Sequence, residues 1–314
     1  MTSENNKIVR SKDTEEYPKK KAIAVVLLIL TTVLWGTTFI ITKIVTNTVP
    51  VFLYLGIRFF IAFLGFCPFF PRLKRVNKQI IIGGVISGTF YFLGIAFQTF
   101  GLQTTTAGKA GFITGLNTIM VPFFAYLIFH KHFKKKIWAA VVLSVIGLGF
   151  LLLEGLGGEL GVLIGDLLVL ICAVFCALFI VFNDKYVNLM DVYPYSIIQL
   201  LTISGYSFLF SLLFREVYPT NFMLNPLFWI IMFYMGVGVT TVTFLFQNWS
   251  QQYQNPATTA VIFTLEPVFA ALFGFLIGQE ILSFFGWIGS ILIFLAILIA
   301  VVKKRNKNTK SKKN

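Results

Sequence analysis

Charge is scarce in this chain of 314 residues, with only 12% Asp, Glu, Lys and Arg, where soluble domains carry roughly a quarter. Histidine and cysteine are scarcer still. His130 and His132 flank a single lysine with no acid or thiol partner, so no metal-ligand spacing exists and no cofactor is expected. Cys67, Cys172 and Cys176 all fall in apolar runs and read as small buried hydrophobes, the last two four apart on one helix face. A phosphate-cradling Gly-x-x-x-x-Gly-Lys-Ser/Thr loop is absent, which argues against a built-in ATPase. An intramembrane enzyme would need a paired constellation, such as Ser with His or two acids at helical spacing. Both histidines sit in a basic loop, and Asp166 is far from Glu266 in the expected topology. Long loops are missing too, which leaves a scaffold little surface for partners.

What the chain has instead is apolar residues, at 57% with a mean hydropathy of +0.84. Runs of spanning length fall at 22–46, 52–70, 79–100, 108–129 and 137–153, then at 161–182, 194–214, 226–245, 257–277 and 283–302. The fold class expected is an all-α polytopic membrane protein of ten transmembrane helices. The first run is too long for the core of a cleaved signal peptide and is expected to be retained. Residues 1–21 form a polar N-terminal tail, 154–160 a glycine-rich linker and 303–314 a basic tail.

The net charge of +14 is a matter of placement, since 21 of the 26 basic residues lie in the two tails and in the loops 72–78 and 131–136. With ten spans these four segments share one face, so both termini are expected in the cytoplasm and no nucleic-acid partner is implied. The Lys-rich C-terminal tail is expected to touch anionic lipid headgroups. The triplet Asn248-Trp-Ser250 falls on the cytoplasmic side of this topology, so no sugar is expected there.

The sequence also repeats. A shift of 149 residues lays 97–138 on 246–287 without a gap, matching Phe97 with Phe246, Gln98 with Gln247, Gln103 with Gln252, Leu116 with Leu265 and Trp138 with Trp287. Five spans per half is an odd number, so the second copy is expected upside down in the membrane. The basic loop 131–136 aligns with the acid-bearing Glu280 loop, the charge asymmetry of an inverted repeat. Such halves rock about a midplane axis, and a site is expected where they meet.

Within 255–280 one acid, Glu266, lies near the middle of an apolar span with Pro267 beside it. A carboxylate at that depth costs at least ~2.5 kcal/mol, and the proline frees the carbonyl of Phe263 one turn back. Glu266 reads either as a substrate contact or proton carrier, or as a structural acid bonded to Asn117, a hydroxyl or Arg58. Asn117, its partner under the shift, is expected to face it. Trp35 is a candidate wall of the cavity. Arg58 snorkels, pairs with an acid or binds a substrate anion. Tyr91 and Thr240 align and offer hydroxyls at mid-depth, for helix contacts or substrate. Gln98 and Gln247 are expected near opposite membrane faces, at gate or interface positions.

Several stretches resemble the EamA-type transporters of the drug/metabolite transporter superfamily. They are Trp35-Gly-Thr-Thr-Phe39 with Lys43, Arg58-Phe-Phe-Ile-Ala62, and Thr106 to Leu116 followed by Pro122. The second half adds Pro256-Ala-Thr-Thr-Ala260, Leu265-Glu266-Pro267 and Gly278-Gln-Glu280. The likeness covers about 22–302. It implies a permease or exporter of a small metabolite, such as an amino acid or related compound, in the cell membrane, working by alternating access. One departure is Lys131, where the second half has Glu280 and many relatives carry an acid in both copies; this questions a capping or gating role for the acid in that loop. An uncoupled facilitator and a non-transporting scaffold are the alternatives. A single buried acid is compatible with proton coupling, and the oligomeric state is left open.

Overall fold

The computed structural model describes residues 4–105, 107–152, 160–219, 224–278 and 284–301. The linker residues 154–159, the acids Glu154, Glu159 and Glu280, and the tail 303–314 lie outside the described residues, as does the side chain of Lys109. The secondary structure elements among the described residues are all helical, with no strand. The helices are α1 (Glu4–Thr46), α2 (Val51–Gly65), α3 (Lys78–Leu102), α4 (Ala107–Gly115), α5 (Asn117–Phe129), α6 (Lys135–Leu152) and α7 (Leu160–Val187). They continue with α8 (Val192–Leu213), α9 (Pro226–Phe233), α10 (Val242–Gln251), α11 (Pro256–Phe263), α12 (Leu265–Gly278) and α13 (Phe284–Val301). A π-helical segment, Tyr234–Thr241, joins α9 to α10, and a 3-10 segment, Cys67–Arg75, follows α2.

Seven helical stretches among the described residues are long and apolar enough to cross a membrane, and an eighth is counted if α2 and the 3-10 segment after it are one span bent by 73°. The molecule is an all-α, multi-pass integral membrane protein. Some boundaries differ from expectation. Helix α1 begins at Glu4 rather than near 22 and runs through Pro18. The stretch 52–70 is not one straight span, because Pro68 and Pro71 lack the amide hydrogens an α-helix needs and the chain tightens into the 3-10 segment.

Helix starts follow simple chemistry. Asn77, Asp191, Asn225 and Asn255 each cap a first turn by accepting a backbone N–H, and Pro226 and Pro256 occupy first-turn positions where no donor is required. Helix α2 begins after Pro50, which has no capping side chain. Glu216 supplies the cap from the far side of the sequence, its two carboxylate oxygens accepting from Phe52 N (3.0 Å) and Leu53 N (2.8 Å).

Helix α3 packs along α7 and α8, α6 along α13, and α1 along α10 and α12. Small residues set the closest approaches, as is usual where lipid gives helices no hydrophobic reason to associate. A Cβ on Gly36 of α1 would lie 2.7 Å from Phe269 Cβ and 2.9 Å from the Phe269 carbonyl carbon of α12. A Cβ on Gly101 of α3 would lie 2.8 Å from the Gly165 oxygen of α7.

A buried set of carboxamides ties α7, α8 and α10 together. Asn183 Nδ2 donates to Asn248 Oδ1 at 2.8 Å and to Gln251 Oε1, while its Oδ1 accepts from Gln199 Nε2 at 2.8 Å and bonds the Tyr195 hydroxyl at 2.9 Å. Asn248 Nδ2 donates to Ser196 Oγ and to Gln199 Oε1, both at 2.7 Å. Asn248 is fully buried by these contacts and offers no glycosylation site in the folded chain.

Two stability predictions follow from these contacts. Glu216→Ala should lower unfolding stability by about 1–2 kcal/mol, the usual worth of a helix cap, seen as a lower unfolding temperature in detergent, with Glu216→Gln recovering part of it. Asn183→Leu should cost more, about 1–3 kcal/mol for each buried group it strands, whereas an unchanged melt would show that the carboxamides bond equally well without their centre.

Candidate functional site

Two helix breaks of one residue each shape the site. Leu116 (φ −62°, ψ −15°) separates α4 from α5, and Thr264 (φ −65°, ψ −8°) separates α11 from α12. Both make a tight i→i−3 turn, Leu116 N bonding Ile113 O at 3.1 Å and Thr264 N bonding Val261 O at 3.3 Å. Pro267 contributes to the second break, since its ring cannot donate to the Phe263 carbonyl. The breaks place Asn117 and Glu266 in the first turns of α5 and α12, where spare backbone N–H groups and the helix dipole favour an anion.

Both residues line one internal cavity. Its wall also carries Trp35 and Thr38 from α1, Arg58 from α2, Tyr91, Ile95 and Gln98 from α3, and Thr114 from α4. Cys172, Cys176, Phe179 and Ile180 of α7, Gln247 of α10 and Phe263 of α11 complete it. The space open to the centres of water-sized molecules is about 40 Å³, room for a few waters at ~10–15 Å³ each. An amino acid does not fit this arrangement without movement of the walls.

Arg58 is only 2% exposed. Its Nε donates to Thr240 Oγ1 at 3.0 Å, Nη1 approaches the Tyr54 hydroxyl at 3.4 Å, and the guanidinium lies 5.5 Å from the Phe59 ring centre. Thr240 in turn donates to the carbonyl of Met235 five residues back, at 2.7 Å, a bond that belongs to the π-helical turn. The π segment therefore aims the hydroxyl at Arg58, a use of such bulges common at functional sites. Among the described residues no carboxylate is within ion-pair distance of Arg58, and Glu266 makes no hydrogen bond or ion pair. The cavity thus holds a guanidinium and a carboxyl group that make no hydrogen bond or ion pair with each other.

Its aromatic side is tightly packed. Trp35 donates its indole N–H to Thr243 Oγ1 at 3.1 Å and stands 4.9 Å from the Phe263 ring centre. Tyr91 meets Phe179 edge-on at 4.8 Å. The polar side is partly unpaired. Gln98 Nε2 donates to Thr114 Oγ1 at 3.1 Å, yet Asn117 Oδ1 and both amide atoms of Gln247 are buried with no protein partner. Buried amides without partners are rare, and each stranded group costs about 1–3 kcal/mol.

Five of the six residues singled out from the sequence, Glu266, Asn117, Trp35, Tyr91 and Arg58, meet on this cavity. Thr240 stands behind Arg58 and holds it. The hydrogen bonds proposed from Glu266 to Asn117, a hydroxyl or Arg58 are not formed. Arg58 is buried, and among the described residues it pairs with no acid.

Gln98 and Gln247 correct the expectation, for both lie on the cavity and not at opposite faces. Helix α10 continues to Gln251 and α3 to Leu102, so positions placed near or beyond span ends are well inside the helices. A helical stripe was the available signal, since Tyr91, Ile95 and Gln98 recur at i, i+4 and i+7. The same spacing puts Cys172, Cys176, Phe179 and Ile180 on one face of α7. The two thiols, read as packing residues, lie 3.5 Å apart on the cavity wall.

Comparison with known proteins accords with this architecture. A solved crystal structure superposes with a TM-score of 0.70 at 19% identity, covering 88% of this chain and 96% of that one, and so shares the fold. An uncharacterized transporter of Archaeoglobus fulgidus is 34% identical over 90% of this chain and 87% of its own length. The uncharacterized transporter YetK of Bacillus subtilis is 27% identical over 91% and 89%. A probable amino-acid metabolite efflux pump of Salmonella typhimurium is 28% identical over 51% of this chain and 52% of its own. The model of the EamA-like transporter family matches residues 22–153 and 163–302, and the chain belongs to that family of membrane transporters.

Proposed function

We propose that this transporter moves a small zwitterionic metabolite, an amino acid or a close relative, by alternating access around the cavity described above. The observation that carries the reading is the presence of Arg58 and Glu266, unbonded to each other, in one buried space with the unpartnered Asn117 Oδ1 and Gln247 amide. A zwitterion supplies what each lacks. Its carboxylate meets the guanidinium, its ammonium meets Glu266, and its polar edges meet the amides, while Trp35, Phe263, Tyr91 and Phe179 enclose the apolar part. The printed name of the Salmonella relative lends support to this substrate class.

Ten spans arranged as two inverted five-helix repeats, 22–153 and 161–302 about the linker 154–160, complete the proposal. It is supported by the separate family matches to 22–153 and 163–302 and by a helix break just ahead of each member of the aligned pair, at Leu116 one residue before Asn117 and at Thr264 two residues before Glu266. Half-helix N-termini meeting near the midplane are a recurrent transporter site. The basic loops and tails support a cytoplasmic position for both termini, in a cell whose plasma membrane holds the protein. The small cavity corresponds to a closed state, and rocking of the repeats enlarges it toward one side at a time. Glu266 is the group through which a proton couples to transport.

Uptake into proteoliposomes, with and without an imposed pH gradient, tests these roles over a pool of labelled amino acids and other small metabolites. Wild-type uptake should respond to the gradient, and Glu266→Gln should transport without that response. Gradient-independent uptake by the wild type would make the protein a facilitator and remove Glu266 from coupling. Arg58→Gln should weaken half-saturation by carboxylate substrates about 10–100-fold, from the ~1.5–3 kcal/mol of a charged hydrogen bond. Equal weakening for solutes without a carboxylate would assign Arg58 to packing.

A further inference from the structure

Another concavity lies at the basic end of the bundle and shares no lining residue with the central cavity. Its free space is about 670 Å³ on the same measure, far larger than the central one. Four lysines line it, Lys21 from α1, Lys131 and Lys134 from the turn between α5 and α6, and Lys136 from the first turn of α6. Asp184 of α7 is the single carboxylate among its described lining residues and is engaged by Lys131. Among its described lining residues four ammonium groups thus face one carboxylate, and Lys136 Nζ also donates to the Ala300 carbonyl at 3.0 Å. Burial, with the like charges of Lys21 and Lys134, pulls the Lys136 ammonium below the usual lysine range.

Other features of the cleft suit an anion. The first turn of α11 opens into it, with Asn255 Oδ1 capping Thr258 N at 2.8 Å and Pro256 beside it, so the positive end of that helix adds to the field. Lysine is a point charge that suits a phosphate oxygen from any direction. Apolar residues Tyr17, Val25, Phe133 and Ile137 line it as well, next to the lysines along α1 and the α5–α6 turn.

We propose that this cleft is a binding site for a phosphate-bearing anion, with the phosphate between Lys21, Lys131, Lys134 and Lys136. The apolar side chains beside the charges select the headgroup of an anionic phospholipid over free phosphate, because they give the glycerol and upper acyl carbons apolar contacts. The site is one helical turn from the transport cavity along α7, where Ile180 faces the cavity and Asp184 the cleft. A bound phosphate there competes with Asp184 for Lys131, the contact that ties the α5–α6 turn to α7. Binding does not depend on the transport reading and is measured without it.

The purified full chain in neutral detergent would be titrated with short-chain phosphatidylglycerol, short-chain phosphatidylcholine or inorganic phosphate at constant ionic strength, reading the unfolding temperature. Phosphatidylglycerol should raise it saturably and the zwitterionic lipid should not. Lys21→Gln with Lys134→Gln should raise the half-saturating concentration roughly 30-fold, about fivefold for each lysine. Removing as much charge outside the cleft, by Lys74→Gln with Lys78→Gln, should leave it unchanged. Equal loss in the two double variants would reduce the effect to general surface charge and overturn the site. A phosphate response as strong as that to phosphatidylglycerol, and lost in the cleft variant, would keep the phosphate chemistry and overturn the lipid as its source. No saturable response to either anion by the wild type would overturn the proposal entirely.

Discussion

Hydrocarbon offers no hydrogen-bond partner, so each polar group a membrane helix turns inward must be matched by the protein or by something the protein holds. Two buried polar clusters meet this constraint in opposite ways. The carboxamides Asn183, Gln199, Asn248 and Gln251 satisfy one another across α7, α8 and α10. Around Arg58 and Glu266 the matching is incomplete, with Asn117 and Gln247 left unpaired. A closed network rigidifies the helices it joins, while an open one is poised for a polar ligand. That contrast, more than cavity size, distinguishes the framework from the candidate site.

Backbone irregularity is concentrated where it serves the same space. The breaks at Leu116 and Thr264 turn two helix starts, with Asn117 and Glu266, onto the cavity. The π-helical turn holds Thr240 against Arg58. Each irregularity leaves backbone groups to be rebonded, and short i→i−3 contacts and threonine hydroxyls do so locally. Close glycine contacts, Gly36 on α12 and Gly101 on Gly165, let the surrounding helices approach tightly enough to keep the space small. An arginine so buried costs several kcal/mol of desolvation unless it is well bonded. Thr240, Tyr54 and the Phe59 ring share that task and leave the charge available to the cavity.

Two kinds of information were legible to different degrees in the amino-acid order. Apolar runs and the clustering of lysine and arginine report directly on an all-α membrane chain, because solvation by lipid acts on each segment separately. A lone acid in an apolar run stands out for the same reason, and Glu266, Arg58 and Asn117, which meet on one cavity, could be singled out without coordinates. The unaligned features were harder to see. The bend after Gly65 depends on Pro68 and Pro71 acting together, and the extension of α10 to Gln251 depends on its packing against α1, α7 and α8.

The sequence by itself determined which segments enter the membrane, which end of the bundle is basic and which polar residues are costly there, since each is a local transfer of side chains from water to lipid. Only the tertiary structure decided how those costly residues are shared out. Gln98 and Gln247 join Glu266 on one cavity, while Asn248, one residue from Gln247, faces the closed carboxamide network. Adjacent residues point about 100° apart on a helix, and which of them meets a partner depends on helices remote in the chain.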